Sequence, residues 1–279
     1  MSNVHSAVRA AVVQTASSDD VAENLAQAER LVRQAADQGA TVVVLPEKWN
    51  VIDTDDRQAS RAEALDGPSI RAASGWARDL GITLVAGSVS ERIDGDSRAA
   101  NTCVVIAPDG RQVATYRKIH LFDVTVGEHQ YRESAGTLPG EDVVTVDVAD
   151  HRLGLAICYD LRFPELFRAL SARGADILTL PAAFTAPTGA AHWEILVRAR
   201  AIENQAFVLA AGQVGMHATG TASFGHSMIV DPWGVVLAQV TDDVGVAVAD
   251  LDFAGRDTLM ARLPVLHHRR LHSGADERA

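Results

Sequence analysis

The segment 153–165, LGLAICYDLRFPE, constrains this chain more than any other. Its apolar run LGLAIC ends abruptly on Cys158, and a charged turn follows. A helical stretch, PELFRALSARG, then begins at Pro164, whose ring suits the first helical turn. A buried strand that ends on a thiol beside a helix start belongs to a layered α/β arrangement. Backbone N–H groups and the helix dipole at such a place favour a thiolate and any anion next to it. Nucleophilic catalysis needs such a thiolate. A buried structural cysteine is the competing reading, since free cysteines are commonly small core hydrophobes.

Two other charged residues stand where a strand pattern gives way to a loop. Glu47 follows the apolar run 41–45 in VVVLPEKWN, and Lys118 follows an alternating run from Gln112 in ATYRKIHLFD. Ligands of α/β sheets gather at the carboxyl ends of strands. A Glu, a Lys and a Cys at three such ends can share a pocket, although each alone is also a common solvated or buried residue.

Periodicity supplies the frame. A first strand is predicted over 8–14, an amphipathic helix over 20–38, and a short buried strand over 41–45. A second helix is predicted over 69–80, closed by Gly81, with strands over 83–89, 101–107 and 112–116. The segment 121–140 lacks periodicity and reads as an active-site loop. Strands over 143–148 and 153–158 precede a helix over 164–173, a strand over 177–181, a helix over 192–204 and a strand over 207–212. A hairpin over 227–230 and 235–240, a strand over 245–251 and a short helix near 256–262 complete the pattern. Alternating strands and helices early, with hairpins late, imply two mixed sheets with helices outside. No repeat or linker divides the 279 residues, so one domain over 1–279 is expected, with an extended tail from about 263.

In order along the chain, LPEKWN, YRKIHLFDV, RESAGTLPG and GLAICYDLRFPELFR resemble motifs of the nitrilase superfamily of carbon–nitrogen hydrolases. The resemblance continues through LPAAFTAPTGAAHWEILVRARAIENQAFVLAAGQVG and SFGHSMIVDPWGVVLAQ to RLPVLHHRR, covering nearly the whole chain. The later segments are most similar to the Nit branch, which contains deaminated glutathione amidases and ω-amidases. The resemblance implies a four-layer α-β-β-α sandwich. It assigns Glu47 as general base, Lys118 as the family lysine, Cys158 as nucleophile and Glu133 as the second glutamate. The loop before Glu133 departs from the family pattern, reading Val124-Thr125-Val126-Gly127 where many relatives have Pro-Gly, and this leaves Glu128 as a rival.

The chemistry explains these residue types. An amide is a poor electrophile with a poor leaving group, and a thioester intermediate splits its hydrolysis into two easier steps. Glu47 would take the Cys158 proton, give it to departing ammonia, and then activate water. Lys118 and the backbone N–H of Tyr159 would bind the oxyanion. Arg162, four residues after Cys158, is expected to reach the pocket and bind a substrate carboxylate through its planar fork, with Phe184 as a wall. The alternative for Arg162 is a structural salt bridge with Asp160 or Glu165. These expectations point to a small carboxylate-bearing amide, and the resemblance of FTAPTGAAHWEILVRARAIE to deaminated glutathione amidases puts deaminated glutathione first. ω-Amides of 2-keto acids, N-carbamoyl amides and nitriles are the alternatives, and an idle binding or scaffold protein is the alternative of another class.

A Cys–His mechanism would recruit His120, two residues from Lys118, but the local signature of papain-like cysteine proteases is absent. Cys103, in AANTCVVIAP, reads as a core thiol. No HExxH, CxxC, GxGxxG or GxxxxGK[ST] spacing occurs, so neither a metal nor a cofactor is expected; His267, His268 and His272 form only a short basic tail. With 25 basic and 36 acidic residues, the formal charge of −11 argues against nucleic acid and anionic membranes. No apolar run reaches 18 residues. Two cysteines and an N-terminus without a signal-peptide pattern suggest a reducing cytoplasm. The resemblance implies a homodimer or higher homo-oligomer packed through the helices that follow Cys158 and the AHWE segment, and Phe167, Leu170, Trp193, Leu196 and Ile202 give those helices apolar surface that agrees with it.

Overall fold

The computed structural model describes residues 8–271. Strand β1 (Val8–Gln14) leads to helix α1 (Val21–Asp37) and strand β2 (Val42–Val44). Asp20 caps α1 by accepting from the N–H groups of Ala22 and Glu23 at 2.9 and 3.1 Å, a contact worth about 1 kcal/mol. A short helix, α2 (Asp55–Gln58), precedes α3 (Pro68–Leu80), which stops at Gly81 in a left-handed cap. Strands β3 (Thr83–Val85), β4 (Val89–Arg92), β5 (Ala99–Ile106) and β6 (Gln112–Arg117) follow.

Next come the hairpin β7 (Asp123–Val126) and β8 (His129–Arg132), one helical turn α4 (Glu133–Gly136), and β9 (Thr137–Leu138). The second half holds β10 (Thr145–Val148), β11 (His151–Leu155), α5 (Pro164–Ala172), β12 (Ile177–Ala182), α6 (Ala186–Asn204) and β13 (Phe207–Gly212). The hairpin β14 (Val214–Met216) and β15 (Ala222–Phe224), then β16 (Met228–Val230), β17 (Val236–Gln239), β18 (Gly245–Leu251) and α7 (Phe253–Arg262), end the described elements.

One sheet runs β18-β1-β2-β3-β5-β4, with β6 and β9 also on β5; the other runs β10-β11-β12-β13-β16-β17. Alternation along β1 shows how the layers stack. Ala10 and Val12 join a core that includes Leu155, Ile177 and Leu209 of the second sheet. Their neighbours Ala11 and Val13 face the opposite way, onto Leu31 and Val32 of α1 and Ile70 and Trp76 of α3. Leu31 and Val32 are fully buried, each stabilising by about 1.5–3 kcal/mol. On the far face, Phe167 and Leu170 of α5 and Trp193 and Val197 of α6 close the second sheet. Two sheets between two helical layers make the expected α-β-β-α sandwich.

The parallel pairs β1–β2, β2–β3, β11–β12 and β12–β13 direct several carboxyl ends to one edge of the sandwich. An isolated bridge between Thr15 and Gln213 joins the two sheets there. This edge carries the site.

Several boundaries differ from those predicted. The strand expected over 83–89 is two strands, because Gly87 at φ +50° turns the chain. The unstructured loop expected over 121–140 is a hairpin, a helical turn and a short strand, with a two-residue turn at Gly127 and Glu128. The strand before Cys158 ends at Leu155, so the thiol lies in a 3-10 turn over Cys158–Arg162 rather than on the strand. Helix α6 starts at Ala186, six residues before the expected 192, with Pro187 in its first turn. Residues 263–271 contain no helix or strand, and His272 lies outside the described residues.

Candidate active site

Glu47 follows β2 on a turn clamped to the loop before β4. The Trp49 indole donates to the Ala86 carbonyl at 2.7 Å, and the Lys48 N–H donates to Ser88 Oγ at 3.1 Å. A Cβ on Gly87 would stand 2.0 Å from the Pro46 carbonyl oxygen, so only glycine lets these loops meet. Lys118 follows β6, Glu133 opens α4 after the hairpin, and Cys158 follows β11.

The four meet in a buried cluster. Lys118 Nζ donates to Glu47 Oε1 at 3.0 Å and to Glu133 Oε1 and Oε2 at 3.2 and 2.9 Å. Asn101 Nδ2 bridges the same carboxylates, 2.8 Å from Glu47 and 3.1 Å from Glu133. Glu47 Oε2 accepts from the Ala183 N–H at 2.8 Å, which ties it to the end of β12. Glu133 Oε2 also accepts from the Phe122 N–H at 2.7 Å. Glu128, the rival of Glu133, is exposed in the hairpin turn.

Charge sets the protonation of this cluster. Burial alone would raise the Glu133 carboxyl, but the Lys118 and Lys48 charges outweigh it and hold the pKa at about 2. Burial likewise disfavours the Lys118 ammonium, yet Glu133 and Glu47 raise its pKa well above the ordinary lysine value. For Cys158, burial and then the Glu47 charge push the thiol well above its usual range, and Lys118 offsets only part of this. The helix-start argument that favours a thiolate is therefore overridden by desolvation. The raised pKa favours the protonated thiol.

Cys158 has φ +46°, a left-handed conformation uncommon for a residue with a side chain. Asp160, fully buried, holds it there. Its Oδ2 accepts from the Ile157 N–H at 2.8 Å and the Tyr116 hydroxyl at 2.7 Å. Its Oδ1 accepts from the N–H and Nδ1 of His120 at 3.1 and 2.7 Å. Asp160 thus locks the cysteine turn to the loop that carries Lys118. The His120 ring stacks on Phe163 with centroids 3.7 Å apart, so it braces this junction.

Above the cluster opens a cavity of about 290 Å³. Tyr159, Phe122 and Tyr131 form one aromatic wall, Phe184 another, and Thr185, Thr188, Thr219, Thr221 and Ser223 supply hydroxyls. His217 donates from Nδ1 to the Ser17 carbonyl at 2.9 Å and faces Ser223 Oγ through Nε2 at 2.8 Å. Burial lowers its pKa, so it is neutral and Nε2 accepts the Ser223 proton. Tyr159 and Phe184 therefore line the cavity as expected, but Arg162 does not. Its guanidinium lies over the rings of Phe184 and Tyr159, 5.0 and 5.9 Å from their centroids, and meets His192 Nδ1 at 3.3 Å. Those contacts hold Arg162 against the Phe184 and Tyr159 rings, and neither Asp160 nor Glu165 pairs with it among the described contacts.

Sequence reasoning missed Asn101, Asp160 and Lys48. Asn101 was readable as a polar residue inside the apolar strand AANTCVVI, and Asp160 as the acid within the cysteine turn. Lys48 carried no signal beyond its place next to Glu47.

The sequence profile of the carbon–nitrogen hydrolase family matches residues 9–259. The chain belongs to that family. It is 40% identical to the deaminated glutathione amidase of Synechocystis sp. over 93% of this chain and 97% of that protein. It is 38% identical to the ω-amidase of Danio rerio, over 94% of each. Among solved structures, Saccharomyces cerevisiae Nit3, a member of branch 10 of the nitrilase superfamily, superposes with a TM-score of 0.87 at 30% identity, over 95% of this chain and 97% of that one. The chain is accordingly an amidase-type hydrolase with the nitrilase fold. Among the described residues no helix is long and apolar enough to cross a membrane.

Proposed function

We propose that this chain, acting as one catalytic unit, hydrolyses a small carboxylate-bearing amide through a thioester on Cys158. Deaminated glutathione is the first candidate substrate. The observation that carries the reading is the setting of Cys158 with Glu47, Lys118 and Glu133 in one buried cluster on the cavity wall. Glu47 takes the thiol proton as sulfur attacks the amide carbonyl. The oxyanion binds Lys118 Nζ and the Tyr159 N–H. Glu47 then protonates the departing nitrogen and activates water against the thioester. Glu133 stays ionised and fixes Lys118, as its lowered pKa supports. A neutral resting thiol suits this cycle, since one carboxylate base serves both half-reactions.

The substrate preference is supported by similarity to deaminated glutathione amidases and by the hydroxyl-rich wall. The test is a panel of deaminated glutathione, ω-amides of 2-keto acids, N-carbamoyl amines and nitriles, scored by released amine or ammonia. Highest kcat/KM on deaminated glutathione is expected. Preference for an ω-amide would move the chain to that activity, and no turnover with an unreactive Cys158 would favour a binding protein.

Two further parts of the reading accompany it. A reducing cytoplasmic setting is supported by two free cysteines, both buried. A homodimer is supported by Ile195 and Ile202 of α6 with Trp233 and Val235, which are 69%, 49%, 64% and 48% exposed. Phe167, Leu170 and Trp193 are instead buried within the chain's own core.

A further inference from the structure

The amidase reading needs a cation for the substrate's carboxylate, and Arg162 is held over the Phe184 and Tyr159 rings and against His192, outside the set of cavity-lining residues. The charged residues that line the cavity are few. Asp53 pairs with Arg61 at 3.0 Å and with Arg57 at 3.4 Å. Lys118 is committed to both carboxylates of the catalytic cluster. His217 has both nitrogens bonded and is kept neutral. Lys48 remains.

Glu47 and Lys48 are adjacent in sequence, and along an extended chain adjacent side chains point to opposite faces. Lys48 has φ +52°, which breaks that alternation, and both residues line the cavity. The Lys48 side chain is half-buried, and among the described residues its ammonium has no hydrogen-bond or ion-pair partner. Its charge acts on Glu133, yet the Glu133 oxygens are already taken by Lys118, Asn101 and the Phe122 N–H. An ammonium with three unspent donors inside a partly desolvated cavity is a site for an anion.

We propose that Lys48 is the specificity residue that binds the carboxylate of the substrate's acyl part while its amide carbonyl lies at Cys158. The aromatic walls then hold the intervening chain, and Arg162 acts only as a positioning residue for Phe184 and Tyr159. The proposal rests on the amidase reading, and two assays separate the failure of one from the failure of the other.

The first assay compares succinamate with levulinamide, in which a methyl ketone replaces the carboxylate. Lys48→Met should lower the ratio of their kcat/KM values about 10- to 100-fold, mainly through KM of succinamate, and Lys48→Arg should restore part of it. Arg162→Ala should lower both substrates alike and leave the ratio near wild type. The second assay needs no turnover. Succinate should slow iodoacetamide labelling of Cys158, followed by peptide mass spectrometry, and Lys48→Met should weaken this protection at least tenfold. Protection that is absent in wild type, or equal in wild type and Lys48→Met, overturns the proposal. So does an unchanged kcat/KM ratio in Lys48→Met. Failure of the wild type to cleave either amide counts against the amidase reading instead, and the protection assay still decides the role of Lys48.

Discussion

At the scale of single residues, the site is organised around one ammonium shared by two carboxylates. Lys118→Ala removes the proposed oxyanion donor and leaves Glu47 and Glu133 facing each other, so kcat should fall by about 10²–10³-fold or more. Glu47→Gln should depress both acylation and deacylation. It should also lower the pKa of Cys158, because the Glu47 charge is the second contributor, after burial, to the raised thiol. Alkylation rates followed against pH would show that shift, and an unchanged or higher thiol pKa in Glu47→Gln would contradict the electrostatic account. His120→Ala loosens the Asp160 junction and should cost less than either change; a defect as deep as the loss of the thiol would revive a Cys–His mechanism. Glu47, Lys118 and Cys158 were legible in sequence because each follows a strand pattern at a loop. Their protonation was not legible, since it depends on burial and on which charges converge from separated segments. The setting of Arg162 was not legible for the same reason: a position four residues after the cysteine says nothing about the rings of Phe184 and Tyr159 that it lies over.

At the scale of elements, the site depends on turns that admit little substitution. Gly87 combines φ +50° with a Pro46 carbonyl 2.0 Å from where a Cβ would stand. Gly87→Ala should therefore displace the Glu47 turn, costing more than about 1 kcal/mol of stability together with most activity. Denaturant unfolding and turnover would check this, and wild-type values for both would mean the clamp between the loops is incidental. The long amphipathic helices α1 and α3 and the buried strands were readable from periodicity. The β7–β8 and β14–β15 hairpins were not, because strands of three or four residues give too few alternations to register. The strand over 83–89 looked continuous because no charged residue or proline interrupts TLVAGSV, while the break comes from a close approach to Pro46 that lies far away in sequence.

At the scale of the whole molecule, buried charge ties stability to pH. The Glu133 pKa drops from 4.5 to about 2 on folding. A depressed carboxyl contributes stability fully above its unfolded value and loses it as pH falls through its folded value. The denaturation midpoint should accordingly be insensitive to this group from pH 5 upward and decline between about pH 4.5 and 2, with a shallower decline in Glu133→Gln. Equal slopes for the two proteins would contradict the ion-pair assignment. Assembly belongs to this scale too: light scattering should give twice the chain mass of 29.7 kDa at micromolar concentration, and Ile202→Glu should shift it toward the monomer. A wild-type monomer throughout would remove the dimer from the account. The central claim, a thioester on Cys158, is tested most directly by turnover of Cys158→Ala on the best amide of the panel, with circular dichroism confirming an unchanged fold and Cys103→Ala as the parallel variant. The account expects Cys158→Ala to fall below detection while Cys103→Ala, whose thiol is buried in the core with its pKa raised to about 12, keeps most activity; turnover by Cys158→Ala within tenfold of wild type would contradict it.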